Sequence, residues 1–371
     1  METTVKAIIQ LFEKWVPKDY AESWDNVGLQ VGDLEQSVQN LLITLDVTDE
    51  IVEEAIEHQV QLIIAHHPLL FKGLKQIDVN DSKGRIIQKL LKNNISVYAA
   101  HTNLDMVNGG VNDLLADKLC LKNRQVLVPS ITDKLYKFMV YVPKSHANVV
   151  KEAIGKGGAG HIGNYSHCTF ETAGMGAFKP LEGTNPFLGK KGKIEEVEEI
   201  KIETIVKEKQ LSKIIEMAKQ SHPYEEMAYD VFPLNNSTET LGLGRIGLVE
   251  KEMTLKEYLS FVKDALDVPF VRFVGDENKI VRSVAVLGGS GKGYIINAIK
   301  MGADVYITGD LSFHDAQDAE QAGICLIDPG HHVERVMKDG VKCYFDHHQK
   351  ELPAPVNIIT STISTEPFKC Y

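Results

Sequence analysis

The chain has 371 residues, 43% apolar and 25% charged, with 40 Lys plus Arg against 51 Asp plus Glu for a formal net charge of −11. Such a composition can pack a core and excludes a disordered chain; at roughly 100–200 residues per domain it predicts about two or three domains. The acidic balance argues against nonspecific nucleic-acid or membrane-surface binding, and no stretch approaches the ~20 apolar residues of a bilayer span.

The N-terminus, METTVKAIIQLFEKW, lacks the basic start, continuous apolar block and small-residue cleavage site of a secretory leader. Ile8, Leu11, Phe12 and Trp15 fall at helical spacing instead. Residues 41–47 and 62–67 are short aliphatic runs that suit strands buried on both faces. The helix between them starts with Thr48 as cap and acidic residues in its first turn. A helix over 84–94 and a strand over 95–101 complete a β-α-β-α-β order, that of a parallel sheet covered by helices.

The middle of the chain has another character. Residues 136–143 alternate like a strand, 146–158 form a helix ending in glycines, and 165–173 are strand-like. A Gly-, Pro- and Lys-rich loop covers 176–193, with 190–199 read as a solvated hairpin. A strand over 197–206, a helix over 211–221 and a strand over 227–234 follow, which gives the order of a ferredoxin-like split β-α-β unit. Strands at 281–289, 303–310 and 324–330, with helices at 293–302, 314–323 and 331–340, then restore the first rhythm. The expected architecture is therefore α/β: two related halves with mainly parallel sheets, 1–126 and 243–371, interrupted by an inserted α+β domain over 127–242. The five cysteines (Cys120, Cys168, Cys325, Cys343 and Cys370) are scattered without a CxxC pair, which fits a reducing cytoplasm.

Three strand ends carry the chemistry. Ala65-His66-His67-Pro68 follows an aliphatic strand, where parallel sheets bind their ligands. Two adjacent imidazoles point to different sides, serving two metals or one metal and a neighbour, unless the segment is a plain surface loop. His101-Thr102-Asn103-Leu104-Asp105 follows the next strand; Asp105 is a hard oxygen ligand or an ordinary helix cap. Pro329-Gly330-His331-His332-Val333-Glu334 follows a third, with His331 and Glu334 spaced i, i+3 on one helical face, or Glu334 only favouring a helix start. Mixed N/O ligands of this kind suit Zn, Fe, Mn, Co or Ni rather than Ca, and five or six of them suit two ions.

Asp46, Asp310 and His314 are further strand-end groups that contact the ligands or the substrate; His314 equally suits a helix start. Asp25 and Asn26 line the site or shape a turn. Gly288-Gly289-Ser290-Gly291-Lys292-Gly293 lacks the spacer and the Ser/Thr of a nucleoside-triphosphatase loop and leaves at most an anion site at a helix start. His347-His348 reads as surface, and Ser221 to Glu226 either as a turn with Tyr224 packed, the favoured reading, or as a site for a small ligand or a metal.

The segments SWDNVGLQVG, LDVT, IIAHHPLLF, AAHTNLD, VAVLGGSGKG, YITGDLSFHDA and PGHHVE, in that order, resemble the GTP cyclohydrolase type 2 homologs, or Nif-three-like family, over about 1–125 and 243–371. The intervening segment is similar to the CutA-like/PII-like insert of some bacterial members. The resemblance implies a ring-shaped homohexamer whose metal sites face an inner cavity, and two divalent ions per chain, zinc first among the alternatives above. It implies His66, His67, Asp105, His331 and Glu334 as ligands, with His101 near enough to reach a metal. Many members space the late pair HxxxE; here the spacing from His331 is one shorter, which leaves His331 and His332 both open as ligand.

A two-metal site lowers the pKa of water and stabilises developing charge. It points to a metal-dependent hydrolase acting on a nucleotide-like or phosphate-bearing substrate, purine-ring opening at C8 being compatible, with His101, Asp310 or His314 as general acid–base. The alternative is a metal-binding regulatory or scaffold assembly, with a protein partner, whose insert senses a small ligand.

Overall fold

The computed structural model describes residues 2–132, 134–236 and 240–369. Cys370 lies outside the described residues; the other four cysteines are free thiols. The chain divides into two compact units, residues 1–131 with 241–371, and 132–240.

In the first unit, α1 (Val5–Phe12) starts where the Thr4 hydroxyl accepts from the Ala7 amide, and it buries Ile8, Leu11 and Phe12. Then come β1 (Gly28–Val31), β2 (Asn40–Thr44), α2 (Asp49–Glu57), β3 (Leu62–Ala65), α3 (Ser82–Lys92), β4 (Ser96–Ala99), α4 (Thr102–Met106), α5 (Val111–Lys118) and β5 (Lys122–Thr132). Thr48 caps α2 through the Ile51 amide. β2, β3 and β4 are parallel and buried on both faces, with β1 antiparallel on the edge.

The second unit consists of β6 (Leu135–Pro143), α6 (Ala147–Lys156), β7 (Thr169–Phe178), β8 (Glu195–Lys207), α7 (Glu208–Ser221) and β9 (Tyr229–Leu234). Its sheet runs β7-β8-β6-β9 with every pair antiparallel, which is the split β-α-β order. Phe138, Val140 and Val142 of β6 pack with Val150 and Ile154 of α6 and Ile214 of α7 into its own core. Residues from Glu195 onward are not a hairpin but part of the long strand β8, paired with β7 as far as Phe178.

The first unit resumes with β10 (Thr240–Thr254), α8 (Leu255–Ala265), β11 (Arg272–Val274), β12 (Ile280–Val286), α9 (Ile295–Lys300), β13 (Val305–Ile307), α10 (Phe313–Gln321), β14 (Cys325–Asp328), a 3₁₀ helix over His331–Val336, α11 (Met337–His348) and β15 (Asn357–Thr360). The helix expected over 331–340 is thus a 3₁₀ turn followed by an α-helix. β12, β13 and β14 are parallel, inside a sheet ordered β11-β14-β13-β12-β10-β5. The two halves are interleaved: β15, at the end of the chain, pairs in parallel with β2 of the N-terminal sheet. One core joins both sheets, from Ile8 and Phe12 through Tyr98 to Val284, Ile327 and Phe345. Among the described residues no helix is long and apolar enough to cross a membrane.

An ion pair ties the halves beneath that core. Arg245 of β10 is 2% exposed and donates two 2.8 Å bonds to the Asp113 carboxylate of α5, and others to the Gly242 and Gly244 carbonyls. Removing one partner strands a buried charge. Asp113→Asn is expected to cost about 3–5 kcal/mol, read as a lower urea midpoint, while exposed Lys118→Ala stays within about 0.5 kcal/mol.

Candidate metal centre

Five parallel strands end at one place in the first unit. β3 runs into His66 and His67, β4 into His101, β14 into His331, β2 into Asp46 and β13 into Asp310. The His66 and His67 amides still donate to the Thr44 and Leu45 carbonyls, so both imidazoles are presented from an ordered ladder. Asp105 lies one helical turn beyond His101 and its amide donates to the His101 carbonyl.

Each of four imidazoles has its Nδ1 engaged by an oxygen. His66 Nδ1 meets the Ala100 carbonyl at 2.8 Å, His67 Nδ1 meets Asp46 at 2.6 Å, His101 Nδ1 meets Asp25 at 2.9 Å and His331 Nδ1 meets Asp310 at 2.7 Å. Such bonds fix the ring and turn Nε2 to the other side, as behind metal-bound histidines. Asp25 also accepts from the Thr102 amide at 3.0 Å and hydroxyl at 2.5 Å, and the His101 bond together with these outweighs its burial and holds its pKa at about 2. Asp310 takes a left-handed φ of 56°, rare for a non-glycine residue, where its carboxylate reaches His331.

The Nε2 atoms of His66, His67 and His331 converge on Glu334, 3% exposed, whose Oε2 lies 3.0 Å from His67, 3.1 Å from His331 and 3.7 Å from His66. The His331–Glu334 contact spans i, i+3, and the 3₁₀ winding there places such residues one above the other. His331 is therefore the residue in the cluster; His332 instead meets the Arg335 guanidinium at 3.3 Å. Gly288 and Gly289 make room for the acid: a Cβ on Gly289 would stand 2.4 Å from Glu334 Oε1. That close approach accounts for the glycine-rich turn without a phosphate. The α9 helix behind it has only six residues.

Three groups bring possible ligand atoms within 4.8 Å of one another: His66, His67 and His101; His67, His331 and Glu334; His66, Asp105 and Glu334. His66 Nε2 and Asp105 Oδ1, 3.7 Å apart, are buried and have no hydrogen-bond partner. A buried polar pair left open in this way fits a cation that both would bind. Burial pushes the Asp105 carboxyl up to about 6. Burial also opposes the charge on Glu334, yet the surrounding imidazoles hold it well below the carboxylate range. In return, hydrogen bonds to Asp46 and Glu334 overcome the burial of His67 and raise it to about 10, and Glu334 raises His331 to about 9.

His314 is exposed on α10 against Phe313 and is in none of the three groups. Asn26 donates to the Leu70 carbonyl. His347 is exposed, while His348 stacks on Tyr344. Several partners had no signal in the sequence. Asn112 joins the site to the second sheet, donating to the Asp105 carbonyl and accepting from the Gly288 amide, each at 3.0 Å. Thr365, beyond β15, donates to Asp46. The exposed Trp24 and Phe71 rings stand edge-on to His101 at 6.2 and 6.3 Å.

Comparison with known proteins places the chain. The family model described as Duf34/NIF3 (NGG1p interacting factor 3) matches residues 3–367. A Halalkalibacterium halodurans protein named GTP cyclohydrolase 1 type 2 homolog is 50% identical over 363 residues, 98% of each chain. Its namesake in Bacillus subtilis is 50% identical over 361 residues, 97% of each. The crystal structure of a Bacillus cereus protein related to NIF3 matches with a TM-score of 0.87 at 48% identity, covering 100% of both chains. The chain belongs to the Duf34/NIF3 family.

Proposed function

We propose that the chain binds two divalent metal ions, zinc first, and acts as a metal-dependent hydrolase on a nucleotide-like or phosphate-bearing substrate. The observation that carries this is the open pair His66 Nε2 and Asp105 Oδ1, set among imidazoles whose Nδ1 atoms are already engaged. His66, His67, Asp105, His331 and Glu334 would hold the ions. Bound divalent ions supply Lewis acidity and lower the pKa of water. The names of the two bacterial relatives agree with nucleotide chemistry. The reading includes a cytoplasmic homohexamer, as the family resemblance implies.

The chain's own residues divide the remaining work. Asp46 and Asp310 hold His67 and His331 by their Nδ1 atoms and act by positioning. His101, half-buried and backed by the Asp25–Thr102 network, is the group we assign to proton transfer, ahead of Asp310 and of exposed His314. A second reading is favoured by one observation: the second unit carries its own cavity of about 430 Å³. In it the protein is a metal-binding regulatory assembly with a protein partner, and its PII/CutA-like insert takes up a small ligand.

Elemental analysis of tag-free protein is expected to give about two metals per chain, lost in the His66→Ala/Asp105→Ala double variant, with light scattering at six chains. Equal metal in both proteins would sink the site, and a monomer would sink the hexamer. Because His67 and His331 hold protons up to about 10 and 9 in the metal-free protein, cations must displace those protons. Apparent metal affinity should therefore rise with pH between about 6 and 8, by about tenfold per unit for each proton released, as measured with a chelating dye. A flat profile would contradict the protonation. In a screen of nucleotides and phosphoesters, His101→Gln should keep its metal and lose about a hundredfold or more in turnover. If metal-loaded protein turns over no substrate beyond the double variant, the regulatory reading takes first place.

A further inference from the structure

The cavity in the second unit has a chemistry unlike that of the imidazole cluster. Phe138, Val140 and Val142 of β6 face α6 and α7, and strand alternation turns Tyr141, which lines the cavity, to the opposite face. The cavity therefore lies on the sheet face that the two helices leave uncovered, walled by the loop after β7 and the turn after α7. Its volume of about 430 Å³ suits one small organic molecule.

Four aromatic residues line it, Tyr141, Phe178, Phe187 and Tyr224, and the last three have their rings close together. Tyr224 lies 5.5 Å from Phe178 at 60° and 6.4 Å from Phe187 at 50°. Tyr224 is fixed from behind: its amide donates to His222 Nδ1 at 3.1 Å, and His222 Nε2 donates to the Tyr141 carbonyl at 2.9 Å. Three carboxylates, Glu199, Glu225 and Glu226, line the same cavity against one ammonium, Lys179. Glu199 accepts from the Tyr224 hydroxyl at 3.1 Å. A Cβ on Gly176 would meet Glu199 Oε2 at 2.1 Å, so the glycine keeps room for the acid in the floor. Glu225 accepts the Asn185 amide at 3.0 and 3.1 Å and so pins the wall loop. Among the described residues no Lys or Arg pairs with Glu199 or Glu225, so their charge is not cancelled inside the unit.

Aromatic faces beside uncancelled carboxylates repel phosphate and attract weakly hydrated cations. We propose that this cavity binds a small organic cation, an ammonium carrying alkyl or aryl groups, with its charge on Glu199 and its body between Phe178, Phe187 and Tyr224. The proposal rests on the regulatory reading of the insert and supplies its ligand class.

Calorimetric titration of the full-length protein tests it with benzyltrimethylammonium, against benzoate and benzyl alcohol as anionic and neutral rings of similar size. The cation should bind saturably and at least about tenfold more tightly than either. Glu199→Gln and Tyr224→Leu should each weaken it by about tenfold or more, while Glu216→Gln on exposed α7 leaves it unchanged. Phe187→Leu, on the exposed wall, gives the same reading should Tyr224→Leu fail to fold. Equal binding of all three compounds, binding of the cation that survives these substitutions, or a crystal structure with a second copy filling the cavity would each overturn the proposal. Metal content and turnover at the imidazole cluster do not enter the titration, so its failure leaves the metal centre untouched.

Discussion

The first unit turns on the buried carboxylate of Glu334. An ionised acid out of water is costly unless charged or polar partners surround it. Here the partners are His67 at 3.0 Å, His331 at 3.1 Å and His66 at 3.7 Å. Two of them end a strand of the first sheet and one follows a strand of the second. The charge is satisfied only when the two sheets present their carboxyl ends to each other. The interleaving of β15 with β2, the buried Arg245–Asp113 pair and the Asn112 bridge all hold that register. Core and site are consequently one cooperative structure, in which a slip of either sheet would leave Glu334 unpaired.

The outer oxygens make the site insensitive to what its inner atoms hold. The Ala100 carbonyl, Asp46, Asp25 and Asp310 all act on Nδ1, whether Nε2 carries a proton or faces a cation. With protons, the imidazoles neutralise Glu334; without them, the same atoms would face a cation in the same orientation. The left-handed backbone of Asp310 is a local strain that the rest of the fold sustains, and its visible return is the orientation of His331.

That these imidazoles and carboxylates come together was legible because each of them sits next to a strand end or a helix start, where local sequence is informative. His66-His67 follow four residues buried on both faces, and polar rings directly after such an aliphatic run mark the mouth of a parallel sheet. The engaged oxygens were less so, since Asp46 is 21 residues from His67, Asp25 76 from His101 and Asp310 21 from His331. Thr365 reaches Asp46 across 319 residues, and no spacing rule covers that. The choice between His331 and His332 needed the backbone itself, because the threefold winding of this turn sets His331 directly over Glu334. In the second unit, β7 is exposed along both faces and carries no apolar period, so its true extent to Phe178 and its pairing with β8 could not be read from residues alone.

The point of insertion explains how one chain carries two chemistries. The second unit leaves from the end of β5 and returns at the start of β10, and these strands are neighbours in one sheet. Ends already held together make an insertion cheap in chain entropy whatever its length. The insert is thus free to keep its own core and its own electrostatics. In the first unit the buried Glu334 is surrounded by imidazoles that offset its charge. In the second, Glu199 has a tyrosine hydroxyl and Glu225 a backbone amide, neutral donors that orient a carboxylate without cancelling it. A carboxylate held in place with its charge intact, beside aromatic faces, has its remaining partner to find outside the unit.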